Sequence, residues 1–278
     1  MRQEQSTKTV VRTMLNKVPE VTIYFWVIKI MATTVGESAA DFLNTHMGLG
    51  LTGTTLIMSA LLVGVLVYQF RARRYVPGIY WLAVVLISVV GTLITDNLVD
   101  NFGIPLRTTT VLFAIALAVT FAVWYANEKT LSIHTIYTTK REAFYWSAIL
   151  FTFALGTAAG DLVAEGLSLG YWKSAIMFGA LIGLVAFAWR SFKLNPILAF
   201  WIAYILTRPL GASLGDYLSQ PGDSGGLGLG TVVTSAIFLS TILATVIYLT
   251  KTKKDLGVVT VRIENENEKE SAGVGSRR

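Results

Sequence analysis

Residues 25–43 read FWVIKIMATTVGESAADFL, and the same skeleton returns as YWLAVVLISVVGTLITDNL at 80–98, YWSAILFTFALGTAAGDLV at 145–163 and FWIAYILTRPLGASLGDYL at 200–218. Each copy sets an aromatic before a tryptophan (Trp26, Trp81, Trp146, Trp201) and a glycine ten residues after it (Gly36, Gly91, Gly156, Gly211). An aspartate follows fifteen residues after the tryptophan (Asp41, Asp96, Asp161, Asp216), with an aliphatic residue two further on. Four gapless copies make an internal repeat, and a repeat governs how the rest of a chain is read. Successive tryptophans are 55, 65 and 55 residues apart, and the extra ten fall mid-chain around residues 132–139.

Outward from these motifs, each copy lies in an apolar segment that carries charge: 21–43, 76–99, 144–163 and 196–218. Each is followed by an apolar run with no charge: 54–70, 108–126, 174–189 and 231–249. Runs of roughly 17–25 apolar residues match a helix crossing a hydrocarbon layer ~30 Å thick. In lipid the backbone must bond to itself, so spans are helices or closed barrels, and the lack of period-2 alternation selects helices. The chain is 53% hydrophobic and 14% charged, where a soluble domain carries about 25% charge. Its mean hydropathy of +0.58 agrees. The expected fold is an all-α polytopic membrane protein with eight transmembrane helices, built as four tandem two-helix repeats. With two spans per unit, all four enter from one side, as parallel repeats about an axis along the membrane normal.

The expected organisation is an N-terminal segment at 1–19, repeats at 20–75 and 76–130, a central loop at 131–140, repeats at 141–195 and 196–250, and an unstructured tail at 251–278. Lysines and arginines cluster before the first span, after each even one and in the central loop. The opposite connections hold only Arg107 and Lys173. By the positive-inside rule both termini are cytoplasmic. The net charge of +6 follows this topology and gives no reason to expect a nucleic-acid partner. The first twenty residues lack an apolar stretch of the signal-peptide kind, so the first span is expected to act as an uncleaved insertion signal. Without cysteine there is neither a disulfide framework nor thiolate chemistry.

The opening Lys17-Val-Pro-Glu-Val-Thr, then Phe25-Trp26, Ala32-Thr-Thr-Val-Gly-Glu37 and Asp41-Phe-Leu43, resembles a bacterial integral membrane protein family defined only by a repeat of unknown function. That family has four tandem repeats, each with two transmembrane segments and a characteristic tryptophan. The resemblance covers residues of about 17–250. It implies a multi-pass protein of the bacterial inner (plasma) membrane and no established activity, so function must come from the residues.

Steps of three and four keep residues on one helix face. In the first span Trp26, Lys29, Thr33, Gly36, Glu37, Ala40 and Asp41 make one stripe, and the other charged spans match it. The four stripes are expected to face a common centre, with the uncharged spans as an apolar outer ring. For the glycines two readings stand: close helix packing through small-x3-small pairs, or a break exposing backbone to a ligand. The tryptophans are packing or interfacial-belt residues, or a cytoplasmic gate. Each aspartate lies ~22 Å beyond its tryptophan at 1.5 Å per residue. A carboxylate facing lipid there costs on the order of 2–3 kcal/mol or more, so these face inward, paired or hydrated. A helix-end acid touching external water is the plainer alternative.

The units differ. The third and fifth spans add Asp100 and Glu165 four residues after the aspartate, and carry Thr92 and Thr157 where the first has Glu37. The first and seventh hold the cations Lys29 and Arg208. Arg208 is a gating group or half of a structural bridge. Carboxylates with hydroxyl neighbours such as Thr33, Thr92 and Thr157 are hard oxygen ligands suited to Mg²⁺ or Mn²⁺. The expected function is a secondary cation transporter for Mn²⁺ or Mg²⁺, in possible exchange for protons, with Asp41, Asp96, Asp161 and Asp216 as metal ligands. Glu37, Asp100 and Glu165 line the same path. A membrane scaffold or regulatory subunit is the alternative. No nucleophile–base pairing, phosphate loop or metalloprotease spacing points to an enzyme. The expected partners are membrane lipid and a small cation that is cargo rather than cofactor.

Overall fold

The structure, a computed structural model, describes residues 10–46, 48, 50–256 and 258–263. Among them are eight long helices: α1 (Ile23–His46), α2 (Gly50–Arg71), α3 (Pro77–Asp96), α4 (Leu106–Glu128), α5 (Thr139–Asp161), α6 (Tyr171–Phe192), α7 (Pro196–Ser219) and α8 (Gly230–Thr252). At 1.5 Å per residue their 20–24 residues reach ~30–36 Å, enough to cross a bilayer. Seven of the described helices are long and apolar enough to span. The eighth, α1, carries Lys29, Glu37 and Asp41, and all three turn into the bundle rather than toward lipid. This is a multi-pass membrane fold.

The odd helices form an inner ring in which α1 packs on α3, α3 on α5, α5 on α7, and α7 back on α1. The even helices lie outside it. Of the most apolar stretch, 67% is buried in α3 and 56% in α5, against 11% in α6 and 17% in α2. Leu56, Val111, Leu184 and Leu243 face outward on the outer four. Each outer helix leans mainly on the inner helix of the next unit: α2 on α3, α4 on α5, α6 on α7, and α8 on α1. The sequence units are therefore not self-packed hairpins, since α1 and its own partner α2 touch little. Interlocking of this kind leaves no unit separable from its neighbours.

Helix ends follow from local chemistry. Pro77 and Pro196 open α3 and α7, where a missing N–H costs nothing. Asn195 caps α7 by accepting from the N–H groups of Ile197 (2.9 Å) and Leu198 (3.2 Å). The outer helices α4, α6 and α8 each stop at a left-handed lysine, Lys129, Lys193 or Lys253, whose charge complements the helix C-terminus.

One expectation needs correction. The tail is not unstructured throughout 251–278: α8 runs to Thr252, and Val258–Ile263 (β2) pairs antiparallel with Val10–Leu15 (β1). Both stretches are rich in β-branched residues, which favour strands. The charge-alternating part of the tail, 264–268, lies outside the described residues. The central loop, expected as a connection, holds a short 3-10 turn at Ile133–Thr135 and buries Ile133 and Ile136.

Candidate functional site

The repeat glycines set the spacing of the inner ring. A Cβ on Gly36 would overlap Ser88 of α3, and one on Gly91 would lie 2.9 Å from Phe153 Cβ of α5. A Cβ on Gly156 would meet the Arg208 stem of α7, and one on Gly211 would meet Thr33 of α1. Each glycine thus admits the next inner helix, and the fourth closes the circle. All four lie within regular helix, which is the packing reading and not a broken backbone.

The residue before each tryptophan serves the same closure. Phe25 packs on Trp81 (ring centroids 5.6 Å), Tyr80 on Trp146 (5.4 Å), Tyr145 on Trp201 (6.4 Å) and Phe200 on Trp26 (5.7 Å). Each unit's aromatic rests on the next unit's tryptophan, which explains why the repeat carries the two side by side. Trp81, Trp146 and Trp201 are buried and Trp26 is half-buried, so they form a layer across the ring and not an interfacial belt. The Tyr80 and Tyr145 hydroxyls share a hydrogen bond of 2.5 Å within it.

Beyond this layer two basic side chains occupy the centre. Lys29 is fully buried, its Nζ 3.9 Å from the Phe153 ring centre and 4.3 Å from that of Tyr204. Among the described residues it has no hydrogen-bond partner. Arg208, also fully buried, has its Cζ 5.8 Å from the same Phe153 ring. Its Nη1 donates to the Thr33 carbonyl (3.1 Å). Its Nη2 donates to Glu37 Oε2 (2.8 Å) and Thr157 Oγ1 (2.7 Å), and bonds Thr92 Oγ1 as well. Glu37, Thr92 and Thr157 share one repeat position, and the fourth unit has Ala212 there. The guanidinium of the fourth unit therefore bonds the other three.

The carboxylates gather past Arg208. Ligand oxygens of Glu37, Asp161 and Asp216, from three different inner helices, lie within 4.8 Å of one another. Glu37 and Asp216 are buried and Asp161 is half-buried. Of the expected metal set of Asp41, Asp96, Asp161 and Asp216, two join this close group, and Glu37 is its third member. The physical reason is Gly215, where an added Cβ would lie 3.2 Å from Glu37 Cβ. That close approach sets Glu37 level with the Gly215–Asp216 turn. Asp41 and Asp96 are half-buried outside the trio, Asp41 accepting from Gln220 Nε2 at 3.4 Å.

Asp100 and Glu165 are exposed just beyond the ends of α3 and α5. Both sit in π-helical turns, Asn97–Asn101 and Leu162–Gly166, that directly follow the repeat aspartates of α3 and α5. Single π turns within α-helices recur at functional sites. Acids thus line the ring from its centre to the face opposite the termini.

The terminal face is sealed by residues that sequence reasoning missed. Asn16 and Lys17 run beneath the aromatic layer, held by bonds from Asn16 Nδ2 to Ile133 O (3.1 Å) and from Lys17 N to Ile136 O (2.9 Å). Lys17 Nζ pairs with buried Glu142 of α5 (2.5 Å) and donates to Phe70 O of α2 (3.0 Å). Gln69 Nε2 donates to the other Glu142 oxygen (3.0 Å). Tyr75 donates to Asp255 (2.6 Å), tying in the chain beyond α8. Burial and this bond to Asp255 raise the Tyr75 hydroxyl well above the usual tyrosine range. Lys17 and Glu142 are 125 residues apart, and neither belongs to the repeat, so no spacing signal announces them.

Residues 24–75, 79–130, 144–194 and 199–255 match the family described as Repeat of Unknown Function (DUF347). The chain belongs to this family. The matched segments coincide with the four interlocked units, one inner and one outer helix each. No curated protein and no solved structure matches the chain. For this member of the DUF347 family the chemistry must be read from the ring itself.

Proposed function

We propose that this DUF347 protein is a secondary cation carrier, without enzymatic activity, whose cargo is a hard divalent ion, Mn²⁺ or Mg²⁺. The observation that carries this is the Glu37–Asp161–Asp216 trio, three carboxylates brought within 4.8 Å from three units. Carboxylate oxygens complete an octahedral shell together with retained water, as these ions prefer. The Arg208 guanidinium already sits on Glu37. An arriving divalent ion competes with it for that carboxylate, and the displaced charge is balanced by protons leaving the acids. Such competition gives a physical route to cation–proton exchange. The positive-inside charge distribution supports a plasma-membrane location with both termini cytoplasmic. The described conformation then has its acid path facing outward, with the aromatic layer and the Lys17–Glu142 seal closed on the inside.

The test is flux of Mn²⁺ and Mg²⁺ into proteoliposomes under an opposing proton gradient, for the parent protein and for Glu37→Gln, Asp161→Asn, Asp216→Asn and Asp96→Asn. Loss of a supporting neighbour of a metal ligand costs about 10–100-fold in affinity, and loss of a trio carboxylate should lower flux at least tenfold. Asp96→Asn, outside the trio, should reduce it less. A second reading has its own observation: Arg208 clasps all four units, as a purely structural scaffold would require. That reading gains if the parent protein carries neither ion while folded and monodisperse.

A further inference from the structure

On the terminal side of the bundle an open cavity of about 610 Å³ lies between outer helix α6 and inner helices α1 and α7. Its walls are apolar: Ile23, Trp26, Val185, Trp189, Phe200 and Ala203. Its floor is the central loop at 131–134, part of the ten-residue surplus over the other junctions. The volume falls within the roughly 300–1,000 Å³ of small-molecule pockets. Ile23, Ala186 and Trp189 at its rim are exposed, so the cavity opens sideways into the membrane. Trp26 borders it, which is why this repeat tryptophan alone among the four is not buried.

A second hollow shares Trp189 and Pro196 with the first and is bounded by Arg190, Lys193 and Leu194. Arg190 and Lys193 are both exposed and stand at the end of α6, where a span meets headgroups. An apolar slot at the depth of lipid tails thus continues into a basic mouth at the depth of phosphates. The geometry points to a binding site for one anionic phospholipid of the terminal-side leaflet, an acyl chain in the slot and the phosphate on Arg190 and Lys193. An acyl chain gains little by leaving a bilayer as apolar as the slot. Selectivity must therefore come from the basic mouth, and basic pockets at helix ends do select anionic headgroups. The site stands whatever the inner ring conducts.

The experiment is native mass spectrometry of the full chain in neutral detergent with equal amounts of dioleoyl-phosphatidylglycerol and dioleoyl-phosphatidylcholine. One phosphatidylglycerol per chain should be retained, preferred roughly thirty-fold for two basic side chains at an anionic headgroup. Arg190→Gln with Lys193→Gln should abolish the preference. Lys251→Gln with Lys253→Gln, exposed at the same face but at the end of α8, should leave it intact. Ala186→Trp should fill the slot and lower retention of both lipids. If Ala186→Trp fails to fold, the surface charge pairs still decide the matter. Equal retention of the two lipids overturns the proposal, as does a preference lost equally in the α8 pair or kept in the α6 pair. A dimer dissolved by Ala186→Trp would assign the slot to a second copy and overturn it too.

Discussion

Replacing Arg208 with methionine keeps the aliphatic stem against which Gly156 packs and removes the guanidinium alone. Four contacts vanish, to the Thr33 carbonyl, Glu37, Thr92 and Thr157. Side-chain hydrogen bonds within membranes average about 0.6 kcal/mol, so the neutral contacts together account for about 2 kcal/mol. The larger effect is on Glu37, left without its cation within 4.8 Å of Asp161 and Asp216. Breaking a buried ion pair by removing one partner costs about 3–5 kcal/mol. Arg208→Met should therefore lower unfolding stability by about 5–7 kcal/mol, the two contributions together. Adding Glu37→Gln removes the orphaned charge, so the double variant should recover about 2 kcal/mol or more relative to additivity. The assay is reversible unfolding in mixed micelles on all four members of the cycle. A loss below about 1 kcal/mol for Arg208→Met, or strict additivity, would show that the guanidinium does not hold Glu37 and would refute the clasp.

Three further outcomes follow from the same contacts. Gly211→Val should cost about 1–3 kcal/mol by overpacking against Thr33, while Gly64→Ala on outer helix α2, with open space around it, should be neutral or slightly stabilising in the same assay. Lys17→Met leaves Glu142 buried without its cation and should cost about 3–5 kcal/mol; the cost should shrink when Glu142→Gln is added, and its persistence would show that the seal is held by packing alone. The raised Tyr75 hydroxyl favours the protonated fold, so its contribution is fully present below pH ~10 and is lost as pH rises above that value. Tyr75→Phe should make the alkaline decline in stability shallower by about 1.4 kcal/mol per pH unit, the weight of one proton, and equal slopes would contradict the assignment.

Much of the architecture is legible in the sequence because membrane helices obey strict local rules. Length and apolarity mark the spans, and the offset between tryptophan and aspartate marks depth along each helix. Charge confined to alternate spans marks the inner ring, because lipid rejects charge. Those rules need only the position of a residue on its own helix. The β1–β2 pairing escaped because strand partners more than two hundred residues apart leave no local trace beyond a β-branched bias. The polar seal at Lys17 and Glu142 escaped for the same reason: each reads alone as a flanking charge.

Sequence alone determined the repeat, the number of units and which face of each inner helix is polar. Tertiary structure decided which side chains share a level. Thr92, Thr157 and Glu37 occupy one repeat position, yet they meet Arg208, which belongs to the position one turn earlier in its own unit. Glu37, and not Asp41, stands with Asp161 and Asp216. Both outcomes depend on how far each inner helix slides along its neighbour. That slide is set by how Gly36, Gly91, Gly156, Gly211 and Gly215 seat against the facing side chains, a property of two packed surfaces that neither strand of sequence contains by itself.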